Sequence, residues 1–179
     1  VDAFEKHVKE ATDGWDDYDR AEYYDNTYDQ YWDLHKNFPN IQRRSELMSI
    51  YTILENTINS ICSIFESSID NPVKLKDLEA NGIVDQGKRY LEKVVRINFP
   101  SKDPSWVEIE KIQQIRNSVV HANGQVKSGN SSLIKYIQKS QYLELDSKNV
   151  VQIQSGFSVH CLNTFSDFFE VLIDEIIAK

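Results

Sequence analysis

The sequence predicts an all-α chain: an antiparallel four-helix bundle with an extra N-terminal helix and one small β-hairpin. Three observations predict it. Apolar stripes recur at i, i+3 and i+4 over long stretches. Six Gly and four Pro in 179 residues are too few for a many-turned β-sandwich. Only residues 142–153 alternate with the period of a strand pair. A composition 40% hydrophobic and 11% aromatic is enough for a sizeable core. The length fits a single domain over 1–179, with 1–38 an acidic, aromatic helical extension and 42–178 the bundle core.

The first segment reads as helix, broken at Asp13-Gly14. Phe4, Val8, Ala11 and Trp15 recur at helical spacing before the break, and Tyr24, Tyr28, Tyr31, Trp32, His35 and Phe38 after it. Pro39 is expected to end that helix. The second helix, over 42–68, carries the stripe Leu47, Ile50, Leu54, Ile58, Ile61 and Phe65, and Asp70-Asn71-Pro72 is its stop and turn. A short helix over 75–80 is expected to close at Asn81-Gly82. A third long helix spans 84–98, before Pro100. Asp103 as N-cap and Pro104 at the first helical position open the fourth, which carries Ile109, Ile112, Ile115 and Val119 and ends near Asn123-Gly124. Residues 125–132 form a polar loop, and 133–139 one or two helical turns. The hairpin follows, with its turn at 146–149. The last helix, 157–178, has an apolar arc wide enough for a bundle centre or a dimer seam.

Acidic residues number 28 and basic 20, for a net charge of -8. The imbalance is local. Residues 1–36 hold eleven acids and four bases, while 37–139 hold fourteen bases and eleven acids. A mildly basic body behind an acidic leader leaves a nucleic-acid substrate open. No apolar run approaches the roughly 18 residues of a membrane span, and the charged start at Val1–Lys6 has no apolar stretch behind it. The chain is therefore expected to be cytoplasmic, with no membrane partner. Cys62 and Cys161 read as buried free thiols. No metal site and no cofactor are expected: P-loop, dinucleotide turn and His-Glu-x-x-His are missing, and the four histidines share no ligand spacing.

One stretch carries chemistry: Arg116-Asn117-Ser118-Val119-Val120-His121, late in the fourth helix. With Ile109 set at zero on an ideal helix, Ile112, Ile115, Val119 and Val120 fall at about 300°, 240°, 280° and 20°, and Arg116 at about 340°. An arginine inside an apolar arc must find an anion or reach past its neighbours to solvent. His121 lies about 140° from Arg116, so the two converge only if the helix frays near Gly124 or a second subunit supplies the partner. Asn117 and His121, four residues apart, share a face, and Asn117 is placed to orient the imidazole.

An Arg, a following Asn, three more residues and a His, late in a helix of an all-α bundle, resemble the signature of HEPN-domain ribonucleases. The resemblance covers roughly residues 42–178. It implies a homodimer in which two such motifs meet at the interface and cleave RNA without metal, in a prokaryotic toxin–antitoxin or anti-phage setting with an antitoxin or defence-system partner protein. It implies Arg116 and His121 as catalytic residues with Asn117 beside them. Family toxins that continue the motif as His-x-Tyr carry the target of a modifying antitoxin; this chain has Asn123 there.

Three further readings complete the set. Glu55, at the edge of the second helix's stripe, is placed to pair with Arg116, as a structural ion pair or to pre-position the guanidinium. Lys88, Arg89, Lys93 and Arg96 make a basic face on the third helix, either simply solvated or an RNA backbone track. Trp106 and Tyr90 read as core before base-stacking platforms. The alternative to an enzyme is a non-catalytic HEPN-like bundle serving as a protein-interaction or nucleotide-binding module.

Overall fold

In the computed structural model, residues 2–69 and 72–179 are described, and they are mostly helical with one two-stranded antiparallel sheet. The chain divides into two compact units, Val1–Gln42 and Arg43–Lys179.

The first unit holds α1 (Asp2–Ala11) and α2 (Asp17–Trp32). The break comes where the sequence places it. Thr12 is buried with its hydroxyl donating to Val8 O, Gly14 takes φ 80°, and Asp16 caps α2 by accepting from the Asp19 amide. Trp15 lies in this connection, outside either helix, and is 46% exposed. Phe4 sits among the rings of Tyr24, Tyr28 and Tyr31 at 4.6–5.5 Å between centroids, which is what the acidic unit has for a core.

Pro39 does not end the helix. A π-helical turn, Asp33–Asn37, follows α2, and α3 (Phe38–Ser68) begins directly after it with Pro39 as its second residue. Proline fails inside a helix because it lacks an N–H and its ring strikes the carbonyl four residues back. The wider π turn opens the ladder just ahead of it, with Phe38 N–H bonding to Asp33 O.

In the second unit the deepest residues of α3 are Leu47, Tyr51, Leu54, Ile58 and Cys62. Ile50, Ile61 and Phe65 are only partly buried, so the core side is rotated slightly from the predicted stripe. Of the expected stop at Asp70-Asn71-Pro72, residues 70 and 71 lie outside the described residues. The short helix over 75–80 reduces to one 3-10 turn, Leu75–Asp77. Gly82, at φ 115°, caps the start of α4 (Ile83–Tyr90) instead of closing a helix before it.

A second π turn, Leu91–Val95, extends α4, and Arg96 ends it with left-handed backbone, φ 65°. The third helix thus ends three residues earlier than expected, because Ile97 N–H reaches back to Leu91 O and turns the chain out. Gly87 lets α4 approach α3: a Cβ there would stand 2.2 Å from Ile58 Cγ2.

Asp103 caps α5 (Pro104–Ala122) through the Ser105 amide. At its other end Asn123 takes φ 50°, and the Gly124 amide closes on Ser118 O at 2.8 Å. After α6 (Ser131–Lys139), strands β1 (Leu143–Leu145) and β2 (Val151–Ile153) pair with Glu144 opposite Gln152. The Asp146 carboxylate accepts from the Lys148 and Val150 amides in the turn. α7 (Phe157–Ile177) packs on α5 through Phe168, which meets Trp106 at 5.1 Å. The same helix leaves Val159, Leu162, Ile173 and Ile177 exposed. Among the described residues no helix is long and apolar enough to cross a membrane.

Candidate functional site

Arg116 lies within the apolar arc of α5, where a guanidinium needs both an anion and a surface for its plane. It finds them on α3. Its Nη2 stands 3.9 Å from Glu55 Oε1, with the two side chains only 22% and 16% exposed. Its Cζ lies 5.3 Å from the ring centroid of Tyr51, within cation–π range. Its Nη1 donates to Asn117 Oδ1 at 3.1 Å, while its buried Nε has no partner among the described residues.

The Tyr51 hydroxyl beneath it is also buried without a well-aligned hydrogen bond, although Gln113 faces it. Burial first, then the Glu55 carboxylate, push that phenol well above its ordinary range, against Arg116 and Gln113. Tyr51 therefore stays neutral and presents a ring face to the cation.

His121 is exposed in the last turn of α5. The helix remains α-helical through Ala122, so it does not fray to bring His121 round, and the offset of about 140° from Arg116 stands within one chain. Asn117 shares the face of His121, but its side-chain oxygen is turned to Arg116. That oxygen is held by the guanidinium rather than by the imidazole.

Of the four predicted basic residues, Lys88 and Arg89 line one cleft, and Lys93 and Arg96 are not among its lining residues. Lys88 Nζ sits 5.1 Å from the Trp106 ring and 5.5 Å from Phe99. Arg89 is tied to Asp85 at 3.2 Å and to Glu79 O at 2.8 Å. Lys93 is exposed within the π turn, and Arg96 is the left-handed residue that ends the helix. Trp106 and Tyr90 are both buried, as core residues.

Lys88, Arg89 and Asn117 line this cleft between α4 and α5, of about 320 Å³, with Asp85, Glu110 and Gln113. Arg116 adjoins it through Asn117.

A second polar cluster has no local signature in the sequence. Glu108 Oε1 accepts from the Tyr136 hydroxyl and lies 2.7 Å from His160 Nε2, which carries the proton toward the carboxylate. Tyr142 stacks on His160 at 5.3 Å. Burial acts to raise the Glu108 pKa, but the His160 and Tyr136 hydrogen bonds outweigh it and hold it below the usual range. Burial and that carboxylate push Tyr136 up. The cluster joins α5, α6, the start of the hairpin and α7. Apolar surroundings raise both cysteine thiols to about 12, which leaves Cys62 and Cys161 unreactive. Among the described residues no three His, Cys, Asp or Glu side chains gather as a metal site.

Arg44 ties α3 to the end of α5. It donates to Asn123 Oδ1 and to Val151 O, both at 3.0 Å, and Gly124 leaves it room: a Cβ there would stand 2.5 Å from its Nη2. Comparison with protein-family models, with curated proteins and with solved structures gives no match.

Proposed function

We propose that residues 43–179 form a HEPN-type four-helix bundle and that two copies of the chain act as a metal-independent endoribonuclease, in a cytoplasmic toxin–antitoxin or anti-phage setting. The observation that carries this reading is Arg116. A half-buried guanidinium is seated on an aromatic face, steadied by Asn117 and offset by a carboxylate at 3.9 Å, near a polar cleft. Such a fork suits phosphoryl oxygens.

RNA brings its own nucleophile. A base takes the proton of the 2′-hydroxyl, the 2′-oxygen attacks phosphorus, the bond to the 5′-oxygen breaks, and an acid protonates that leaving oxygen. The products are a 2′,3′-cyclic phosphate and a 5′-hydroxyl. His121 is the side chain suited to proton transfer near neutrality. One chain supplies one such group, facing away from Arg116, so the composite site takes Arg116 from one copy and His121 from the other, and that one imidazole takes the 2′-hydroxyl proton as base and returns it to the leaving 5′-oxygen as acid. The exposed Val120 beside His121, and the exposed apolar residues of α7, support association.

The test is cleavage of mixed RNAs in EDTA by wild type, Arg116→Ala, His121→Ala and an equimolar mixture of the two variants. Each variant alone should lose about 10²–10⁴-fold in rate. The mixture should recover a readily measured fraction, because a mixed dimer rebuilds one intact site. Unchanged cleavage by both folded variants, or cleavage abolished by EDTA, refutes this mechanism. Then the Arg116–Glu55 pair is structural and the bundle is an interaction or nucleotide-binding module.

A further inference from the structure

The cleft between α4 and α5 is poorly suited to phosphate. Two cations, Lys88 and Arg89, face two carboxylates, Asp85 and Glu110, so its formal charge cancels. Both cations are already engaged, Lys88 over aromatic faces and Arg89 by Asp85 and a backbone carbonyl. What the cleft offers is hydrogen bonding in both senses. Gln113 and Asn117 carry amides. Glu110 uses Oε1 to accept from the Trp106 indole N–H at 3.0 Å, which fixes the carboxylate and leaves its second oxygen for a ligand. Trp106 is buried, so it forms the floor and does not act as a stacking plate. A volume of about 320 Å³ is at the small end for ligand cavities and fits a planar heterocycle.

We propose that this cleft is a nucleobase subsite that selects bases carrying an exocyclic amino group. The inference rests on the ribonuclease reading for its location: Asn117 lines the cleft and also accepts from Arg116, so a base seated there is next to the phosphate that Arg116 holds. Selection follows from the carboxylates. An amino group of adenine, cytosine or guanine donates to Glu110, as carboxylates and amides do when they read base edges. Uracil has a carbonyl oxygen where cytosine has its amino group, and that oxygen would face the carboxylate with no hydrogen to give it. The free nucleoside and the same base within RNA share this chemistry, and the two arms of the test separate them.

The first arm titrates the full chain with adenosine, cytidine, guanosine and uridine, following the indole N–H resonance of Trp106. The amino-bearing nucleosides should shift it at concentrations at least about fivefold lower than uridine. Glu110→Gln should erase that preference, because its amide can donate to uracil as well as accept. Gln113→Ala should weaken all four. Binding of uridine as tight as the others, no shift with any nucleoside, or an unchanged preference in Glu110→Gln overturns the proposal.

The second arm maps cut sites in RNA. Wild type should cut beside amino-bearing bases, and Glu110→Gln should lose that bias while still cutting. A bias unaffected by Glu110→Gln overturns the proposal. Nucleoside selection in the first arm with no cleavage in the second supports the subsite and refutes the ribonuclease reading.

Discussion

Replacing Arg116 by Ala removes a cation held 3.9 Å from Glu55 and 5.3 Å from the centre of the Tyr51 ring. Two unit charges at that separation attract by about 4 kcal/mol at an effective dielectric of about 20. The pair is mostly covered, so desolvation and the ordering of two long side chains offset much of this. The stacked ring returns about 0.5–2 kcal/mol. The expected cost of Arg116→Ala is therefore about 2 kcal/mol, with about 1 kcal/mol of it coupled to Glu55. A double-mutant cycle in urea, using wild type, Arg116→Ala, Glu55→Ala and the double variant, measures that coupling. The reasoning fails if the coupling is below about 0.3 kcal/mol, the level of additivity for sites that do not touch. The same melts give the folded fraction at which nuclease rates must be compared, since part of any loss in Arg116→Ala would otherwise be unfolding.

Gly87→Ala should destabilise the chain. Its new methyl would stand 2.2 Å from Ile58 Cγ2, an overpacking cost of about 1–3 kcal/mol against a helix-propensity gain of about 1 kcal/mol. A urea midpoint at or above that of wild type would contradict this. Glu108 titrates below its ordinary range in the folded chain, so the unfolded chain binds its proton first as pH falls. Its contribution is complete above the unfolded value of about 4.3 and is lost as pH drops through the lower folded value. Stability measured across that acid range should fall more steeply in wild type than in Glu108→Gln; parallel profiles would refute the assignment.

Legibility in the sequence followed locality. The start of α5 was readable because Asp103 and Pro104 act within one turn, and the hairpin because Asp146 and Asn149 serve a turn between two short alternating runs. Pro39 misled because its penalty assumes α geometry. The π turn that relieves it has no residue signature as plain as the proline itself. Gly82 misled for a related reason: left-handed or extended glycine serves equally before a helix and after one, and only the partners of the flanking amides decide. Arg96 closed its helix in a conformation more often given to Gly or Asn, so nothing in its type announced the end.

The candidate site divides the same way. An arginine in an apolar arc is visible from periodicity, and Glu55 lies at the edge of the second helix's stripe. Tyr51 is not visible in this way, because its hydroxyl keeps it out of a stripe counted in Leu, Ile and Phe, although its ring is what receives the guanidinium. The cluster of Glu108, Tyr136 and His160 joins residues up to 52 positions apart, with spacings that carry no period. The cleft beside Arg116 is hidden in the sequence because Lys88 and Arg89 read there as part of a basic face. In the fold each cation is matched, by aromatic rings or by Asp85, and what the cleft keeps for a ligand is the second oxygen of Glu110 and the amide groups of Gln113 and Asn117 that are not turned to Tyr51 or Arg116. Charge counted along one helix says where cations begin; only the partner helix decides whether any of that charge is left for a ligand.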